Sequence, residues 1–245
     1  MAVAGGLTAA LPRELLAMGP DDRFSVAMLQ YPGSWDPRPS ALRRLLLEVE
    51  KRTSVEVSGS PPSVSGGSPE IFGHPFVVLA GDRKFEPFSE ETILNLRSYL
   101  GAGGFLLIDS AEGVRSGPFM DSVDRELARI FGAERVGTIP KDHVLYKSFY
   151  LIDEPTGRVV VSPELRGVFD DDRLAVVVSS NDLLGAWARD NFGNWKYECT
   201  PGGERQREYA YRLGINLVMY ALCINYKADQ VHVPFILRRR KWKVE

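Results

Sequence analysis

The sequence predicts an α/β fold, with one domain built on a mostly parallel sheet and helices on both faces. Three observations support this class. Short apolar runs rich in β-branched residues alternate with amphipathic helical stretches along the chain, which is typical of parallel βαβ units. Some of these runs, such as residues 174–178, are apolar throughout, as in strands buried on both faces. The 245 residues show no internal repeat and no second hydrophobic unit after a linker.

The first half of the chain supplies four predicted strands and two predicted helices. In order, they are strand 24–31, helix 39–52, strand 55–57, strand 75–81, helix 89–100 and strand 105–109. The first helix carries Leu42, Leu45, Leu46 and Val49 on one face and most of its arginines on the other. Ser89 is a favourable N-cap for the second, with Glu90 and Glu91 in its first turn. Residues 58–68, rich in Ser, Gly and Pro, predict a mobile loop.

The second half is less regular. Its predicted elements are a helix from Asp121 or Ser122 to about Phe131, a strand at 135–139, a strand candidate at 158–162, a strand at 174–178 and a helix at 204–225. The last helix is apolar almost all round, which predicts deep burial.

Composition excludes several function classes. The net charge of −2 gives no general attraction to nucleic acid, and no apolar run is long enough for a transmembrane segment. Cys199 and Cys223 are too few for a disulfide framework, and we expect two separate thiols, with a single bridge between them as the alternative. The three histidines, His74, His143 and His232, have no metal-ligand spacing, so we expect no metal and no cofactor.

The two ends of the chain differ from the predicted domain at 23–237. Residues 1–22 are small and apolar at first, which is typical of the later part of an export signal without its basic start, or of a disordered arm. The first interpretation places the protein in the periplasm or cell envelope, and the second in the cytoplasm. Residues 238–245 form a basic tail, either a solvated end or a contact for an acidic partner or lipid head groups.

The clearest functional signal is at residues 179–195, directly after the strand at 174–178. Ligands of open α/β sheets bind at the carboxyl ends of strands, where the loops after three other predicted strands also meet. The candidate ligand-binding residues on these loops are Trp35, Asp36, Arg83, Asp109, Asn181, Asp182, Trp187 and Asn191. Carboxylates, amides and indoles suit a polyhydroxylated or cationic ligand.

Each candidate also has a structural interpretation. Trp35 and Trp187 are the kind of residue that covers a core, and the aspartates and asparagines can cap helices or stabilise turns. Arg83 or Arg189 can pair with the acids in a network without a ligand. Both interpretations of the cluster stay open at this point.

Several segments resemble the bacterial DUF4159 family, a domain of unknown function, over roughly residues 24–240. The segments that carry the resemblance are residues 31–38, 85–91, 103–109, 181–182, 187–193 and 225–235. The resemblance implies a flavodoxin-like fold related to class I glutamine amidotransferases, and it supplies no known activity. It also implies export, which is frequent in the family, and partners among MoxR-type ATPases and von Willebrand factor A-type proteins, whose genes often lie nearby.

An amidotransferase reaction is not expected. The enzyme needs a cysteine on a sharp turn between strand and helix, together with an activating histidine. Asp109-Ser110 occupies that position after the strand at 105–109, and neither cysteine is near it in sequence. Ser110 is a weak alternative nucleophile because no G-x-S-x-G motif surrounds it.

Two functional hypotheses follow. The first is a non-catalytic domain that binds a ligand or a partner in the cell envelope. The second is a hydrolase or lyase acting on a carbohydrate or peptidoglycan-like substrate, with Asp109 and Asp182 as its acid/base pair.

Overall fold

The computed structural model describes the backbone of residues 23–240 and the side chains of residues 23–223. The predictions for residues 1–22, and for the tail beyond residue 240, lie outside the described residues. The described chain forms a seven-stranded, mostly parallel sheet with helices on both faces, which confirms the predicted α/β class. No helix in this part of the chain is long and apolar enough to cross a membrane.

The strands are β1 (Val26–Gln30), β2 (Ser63–Ser65), β3 (Phe76–Gly81), β4 (Phe105–Ser110), β5 (Val136–Thr138), β6 (Arg166–Asp170) and β7 (Arg173–Ser179). Their order in the sheet is β2-β1-β3-β4-β7-β6-β5. The first five strands in this order are parallel, and β6 and β5 extend one edge, where β6 pairs antiparallel with both β7 and β5.

The helices are α1 (Ala41–Arg52), α2 (Glu90–Gly101), α3 (Pro118–Phe131), α4 (Leu183–Trp187) and α5 (Gly203–Arg240). One face of the sheet packs against α1, α4 and α5, and the other packs against α2 and α3. Ser89 caps α2 as predicted, since its side chain accepts a hydrogen bond from the backbone N–H of Thr92.

Strand β3 shows how the sequence builds these two cores. Successive strand side chains point to opposite faces. Accordingly, Phe76, Val78 and Ala80 join the core beneath α1 and α5, whereas Val77 and Leu79 join the core beneath α2 and α3. Every residue of β3 is buried. A continuous apolar run is what a strand covered on both sides requires, which explains why the central strands were predictable.

The predicted loop at 58–68 contains a strand, and the predicted strand at 55–57 is only a bridge. Phe24 pairs with Val57 at a single position, while Ser63–Ser65 pairs in parallel with β1 at the sheet edge. The prediction was wrong because β2 offers one apolar side chain, Val64, which is 3% exposed. The backbone N–H of Met28 donates to the carbonyl of Pro62 at 2.8 Å, so pairing continues despite the proline.

The second half differs from the prediction at several elements. The segment 158–162 is not a strand, and the strand that precedes β7 is β6. Strands β6 and β7 pair antiparallel and are joined by a turn that contains Asp171 at φ 52°. Helix α3 begins at Pro118, helix α4 was not predicted, and α5 continues to Arg240, into the predicted tail. Cys199 is buried and Cys223 is exposed, and both are free thiols.

Candidate functional site

Asp109 lies at the end of β4 and has no exposed surface. Its Oδ1 accepts a hydrogen bond from the backbone N–H of Leu183, and its Oδ2 accepts one from Leu184, each at 2.9 Å. These N–H groups belong to the first turn of α4, where a helix has no internal acceptor for them. Asp109 therefore caps a helix that follows the neighbouring strand.

The surroundings of Asp109 act on its protonation in opposite directions. Burial, together with the negative charge of Asp182, raises the pKa of Asp109 to about 7. The hydrogen bonds from Leu184, Leu183 and the Ser179 hydroxyl lower it, because they favour the ionised form.

Asp182 is the N-cap residue of the same helix. Its backbone is left-handed, at φ 53° and ψ 59°, and its Oδ1 accepts the backbone N–H of Gly185 at 2.9 Å. A left-handed conformation costs about 1–2 kcal/mol for most residues, and aspartate is among those that adopt it most readily. The sharp turn between strand and helix therefore follows β7, whereas an amidotransferase-like nucleophile would follow β4.

Two guanidinium groups hold the buried carboxylate of Asp182. Arg38 donates from Nη2 at 2.7 Å and from Nε at 3.1 Å, and Arg158 donates from Nε. The Arg38 side chain is 11% exposed and stacks on Tyr197, with Cζ 4.1 Å from the ring centroid. Charge neutralisation by two cations makes full burial of this carboxylate feasible.

These two arginines are not the ones that the sequence suggested as partners. Arg83 is exposed and pairs with its neighbour Asp82 at 2.8 Å. Arg189 donates from Nη1 to the carbonyl of Gly193 at 2.7 Å. Arg38 closes the 31–38 motif, which was the one sequence signal for its importance. Its pairing with Asp182 spans 144 positions and depends on the topology of the sheet.

Asn181 is buried, and its side-chain amide binds the segment before β6. Oδ1 accepts the backbone N–H groups of Val161 and Ser162, both at 2.9 Å. Nδ2 donates to the carbonyls of Ser162 at 2.8 Å and Pro155 at 3.2 Å. The amide makes hydrogen bonds to this segment that a neighbouring strand would otherwise make, which explains why residues 158–162 have a defined conformation without joining the sheet.

Ser110 is also buried and has no imidazole beside it within the described residues. Its hydroxyl donates to the carboxylate of Glu112 at 3.3 Å. The described histidines bond elsewhere: His74 Nδ1 lies 2.8 Å from the Ser25 hydroxyl, and His143 Nδ1 accepts a backbone N–H. Ser110 therefore lacks the adjacent base that an activated serine requires.

The tryptophans of the predicted cleft have different environments. Trp187 is 0% exposed in the core beside Tyr211, and its Nε1 has no hydrogen-bond partner among the described residues. It covers the core and is not available to a ligand. Trp35 is half-buried and lines a cavity of about 160 Å³ with Asp36, whose pKa is raised by burial.

The part of residues 179–195 that faces solvent is a hairpin of residues 189–195, which we call the 189–195 hairpin. Arg189 and Trp195 form its bridge, and the Asp190 carboxylate accepts the backbone N–H groups of Phe192 and Asn194. Phe192 at the tip is 91% exposed, and Asn191 beside it is also exposed.

Three surface cavities follow one another from Trp35 to the start of α5. The first is the one beside Trp35. The second, of about 470 Å³, shares Pro39 and Arg43 with the first. The third, of about 880 Å³, shares Arg189 and Lys196 with the second. Among the described residues, no group of three or more histidine, cysteine, aspartate or glutamate side chains could hold a metal ion.

The face of the Trp195 indole is occupied by the protein itself. The guanidinium Cζ of Arg189 lies 3.7 Å from the ring centroid, and that of Arg207 lies 4.2 Å away. Stacking of a ligand on this indole would have to displace a cation.

Comparison with known proteins identifies the family but no relative of known activity. The model of a domain of unknown function, DUF4159, matches residues 25–222, a range that begins just before β1 and ends within α5. No curated protein matches the sequence. Because the match covers most of the chain, including every strand of the sheet, the protein belongs to the DUF4159 family.

Proposed function

We propose that this protein is a non-catalytic domain that binds a ligand or a protein partner at the carboxyl edge of its sheet. The proposal rests on one observation: Asp109 and Asp182 are fully buried, and the fold itself occupies their oxygens. A catalytic acid or base must come within hydrogen-bond reach of its substrate. Their burial therefore weighs against the alternative of a hydrolase or lyase that uses these two aspartates.

The exposed groups of the same edge support a binding role. Phe192 is held out on a hairpin whose backbone is fixed by Asp190, so little conformational entropy is lost when the ring contacts a partner. Buried aromatic anchors dominate the energy of many interfaces.

The scaffold that we propose is flavodoxin-like and related to class I glutamine amidotransferases. The order of the parallel strands, β2-β1-β3-β4-β7, supports it because flavodoxin-like sheets have the order 2-1-3-4-5. We also propose a location in the cell envelope and partners of the MoxR-type ATPase and von Willebrand factor A-type classes. The family resemblance supports both.

The test is direct binding of the full chain to a purified MoxR-type ATPase and a von Willebrand factor A-type protein from the same genome, measured by biolayer interferometry. We expect one of them to bind, and Phe192→Ala to weaken that binding by about tenfold or more. The control is Leu151→Ala, which removes another exposed apolar side chain, 77% exposed, and should leave affinity unchanged. No binding to either protein, or equal loss in both variants, would contradict the proposal.

A further inference from the structure

Three cations line the second cavity, between α1 and the 189–195 hairpin. Arg43 comes from the first turn of α1, and Arg189 and Lys196 come from the hairpin and the residue after it. None of the three forms an ion pair with any described residue. Although the chain as a whole has a net charge of −2, this local surplus of positive charge attracts anions.

Two contacts fix the walls of this cavity in advance. The Ser40 hydroxyl donates to the carbonyl of Arg189 at 2.7 Å and accepts its backbone N–H at 2.9 Å, which joins the start of α1 to the hairpin. The Arg189 guanidinium is held by Trp195 and the Gly193 carbonyl. Because these groups are already ordered, an anion that binds between them does not have to order them.

The acids that line this cavity and the first one do not neutralise it. Asp190 lines the cavity, but both of its oxygens accept hydrogen bonds within the hairpin, from Phe192 and Asn194. Asp36 lines the adjacent cavity, and its charge interacts with that of Lys196 without forming an ion pair. With three cations and one anion, the second cavity has a surplus of two positive charges.

We propose that this cavity binds a phosphoryl group, free or carried by a larger molecule. The inference rests on the proposed binding function of the same edge and names its ligand class. A phosphate monoester carries about −1.5 to −2 charges at pH 7, which matches the surplus, whereas a single carboxylate would leave half of it unpaired. Guanidinium groups bind phosphate oxygens through paired N–H donors, and the volume of about 470 Å³ lies within the range of small-molecule sites.

The experiment is isothermal titration calorimetry of the full chain with inorganic phosphate, at low ionic strength and in a phosphate-free buffer. We expect saturable binding that weakens as salt is added. The double variant Arg43→Gln/Lys196→Gln changes two exposed side chains and should weaken binding by about 100-fold, roughly tenfold for each cation. The matched control, Lys84→Gln/Lys141→Gln, removes the same charge from exposed lysines outside the three cavities and should leave affinity unchanged.

Two further probes define the ligand. Phosphatidylcholine vesicles with and without phosphatidic acid test whether the phosphoryl group belongs to a lipid: binding that needs both phosphatidic acid and the cavity cations supports a head-group site. Acetate tests the charge argument. The proposal is overturned if neither phosphate nor phosphatidic acid binds, if both double variants lose binding equally, or if acetate binds as tightly as phosphate.

The outcome is separable from that of the protein-binding test. If the native protein does not bind phosphate but does bind a partner through Phe192, only the phosphoryl-site proposal is rejected. If the native protein binds phosphate but neither candidate partner, only the proposed protein partners are rejected.

Discussion

Asp109 and Asp182 cap the same five-residue helix from two positions in the chain. Asp109 accepts the backbone N–H groups of Leu183 and Leu184, and Asp182 accepts that of Gly185, so two buried carboxylates bind three consecutive donors. A helix this short is not stable alone. Because the 189–195 hairpin begins two residues after α4, the two acids fix the position of this hairpin without facing solvent themselves.

Asp182→Asn should destabilise the protein strongly. Asparagine tolerates the left-handed backbone and can still accept the N–H of Gly185, so the variant isolates the lost charge. The largely buried guanidinium of Arg38 and the partly buried one of Arg158 then lose their counter-ion, which we expect to lower the free energy of unfolding by about 3 kcal/mol or more.

Urea unfolding of the two proteins measures this difference, with Asp82→Asn as the control. Asp82 also pairs with an arginine, but the pair with Arg83 is exposed, so its loss should matter far less. Equal destabilisation by the two substitutions would show that the buried network around Asp182 has no special role.

Asp109→Asn should change how stability depends on pH. The folded pKa of Asp109 is raised from 3.8 to about 7, so the folded protein holds the proton more tightly than the unfolded chain does. The stabilisation from this group is complete below pH 3.8 and is lost as the pH rises to about 7. As the pH rises across this window, the free energy of unfolding of the native protein should fall by up to about 1.4 kcal/mol per pH unit more than that of the variant.

Urea unfolding at several pH values tests this difference in slope. The variant also replaces an acceptor of two backbone N–H groups with an amide, which lowers its stability by a constant amount at every pH. Parallel curves for the two proteins, separated by that constant alone, would contradict the raised pKa.

Asn181→Asp should loosen the segment before β6. The new carboxylate oxygen would face the carbonyls of Pro155 and Ser162 in place of the Nδ2 donor, at a cost of at least about 2 kcal/mol. Hydrogen exchange should become faster at the amides of Val161 and Ser162. Asn191→Asp, at an exposed position, is the control and should leave these amides protected.

Gly157→Ala should be destabilising because the segment approaches Asn181 too closely for a side chain. A Cβ at this position would lie 2.1 Å from the backbone oxygen of Asn181, a contact that only a backbone shift can relieve. Gly59→Ala is the matched control, since nothing lies within 4 Å of its Cβ position. Thermal unfolding should show a clear drop in midpoint for the first variant only.

The central strands and long helices could be predicted from sequence because burial fixes their composition. The apolar run at 174–178 lies within β7, and Leu42, Leu45 and Leu46 of α1 face the core. By contrast, β2 has one buried side chain between two exposed serines, and α4 has five residues that carry no periodic signal. Such elements depend on neighbours that the sequence does not reveal locally.

The location of the polar residues could be predicted from the sequence, but the partners that their side chains contact could not. Asp109, at the end of β4, and Asp182, beyond the end of β7, do lie close together, because β4 and β7 are neighbouring parallel strands. Whether a carboxylate faces solvent or a helix N-terminus depends on distant partners such as Arg38. The same polar residues are expected for a ligand site and for an internal network, so their burial had to come from the structure.

The most direct test of the central claim, that these acids are structural, is carboxyl-group footprinting of the native full chain. Carbodiimide and glycine ethyl ester label accessible carboxyl groups, and mass spectrometry locates them. We predict rapid labelling of Glu90 and Glu204, whose side chains are 81% and 67% exposed, and labelling of Asp109 and Asp182 only after unfolding. Labelling of Asp109 or Asp182 in the native protein at the rate of Glu90 would contradict the claim.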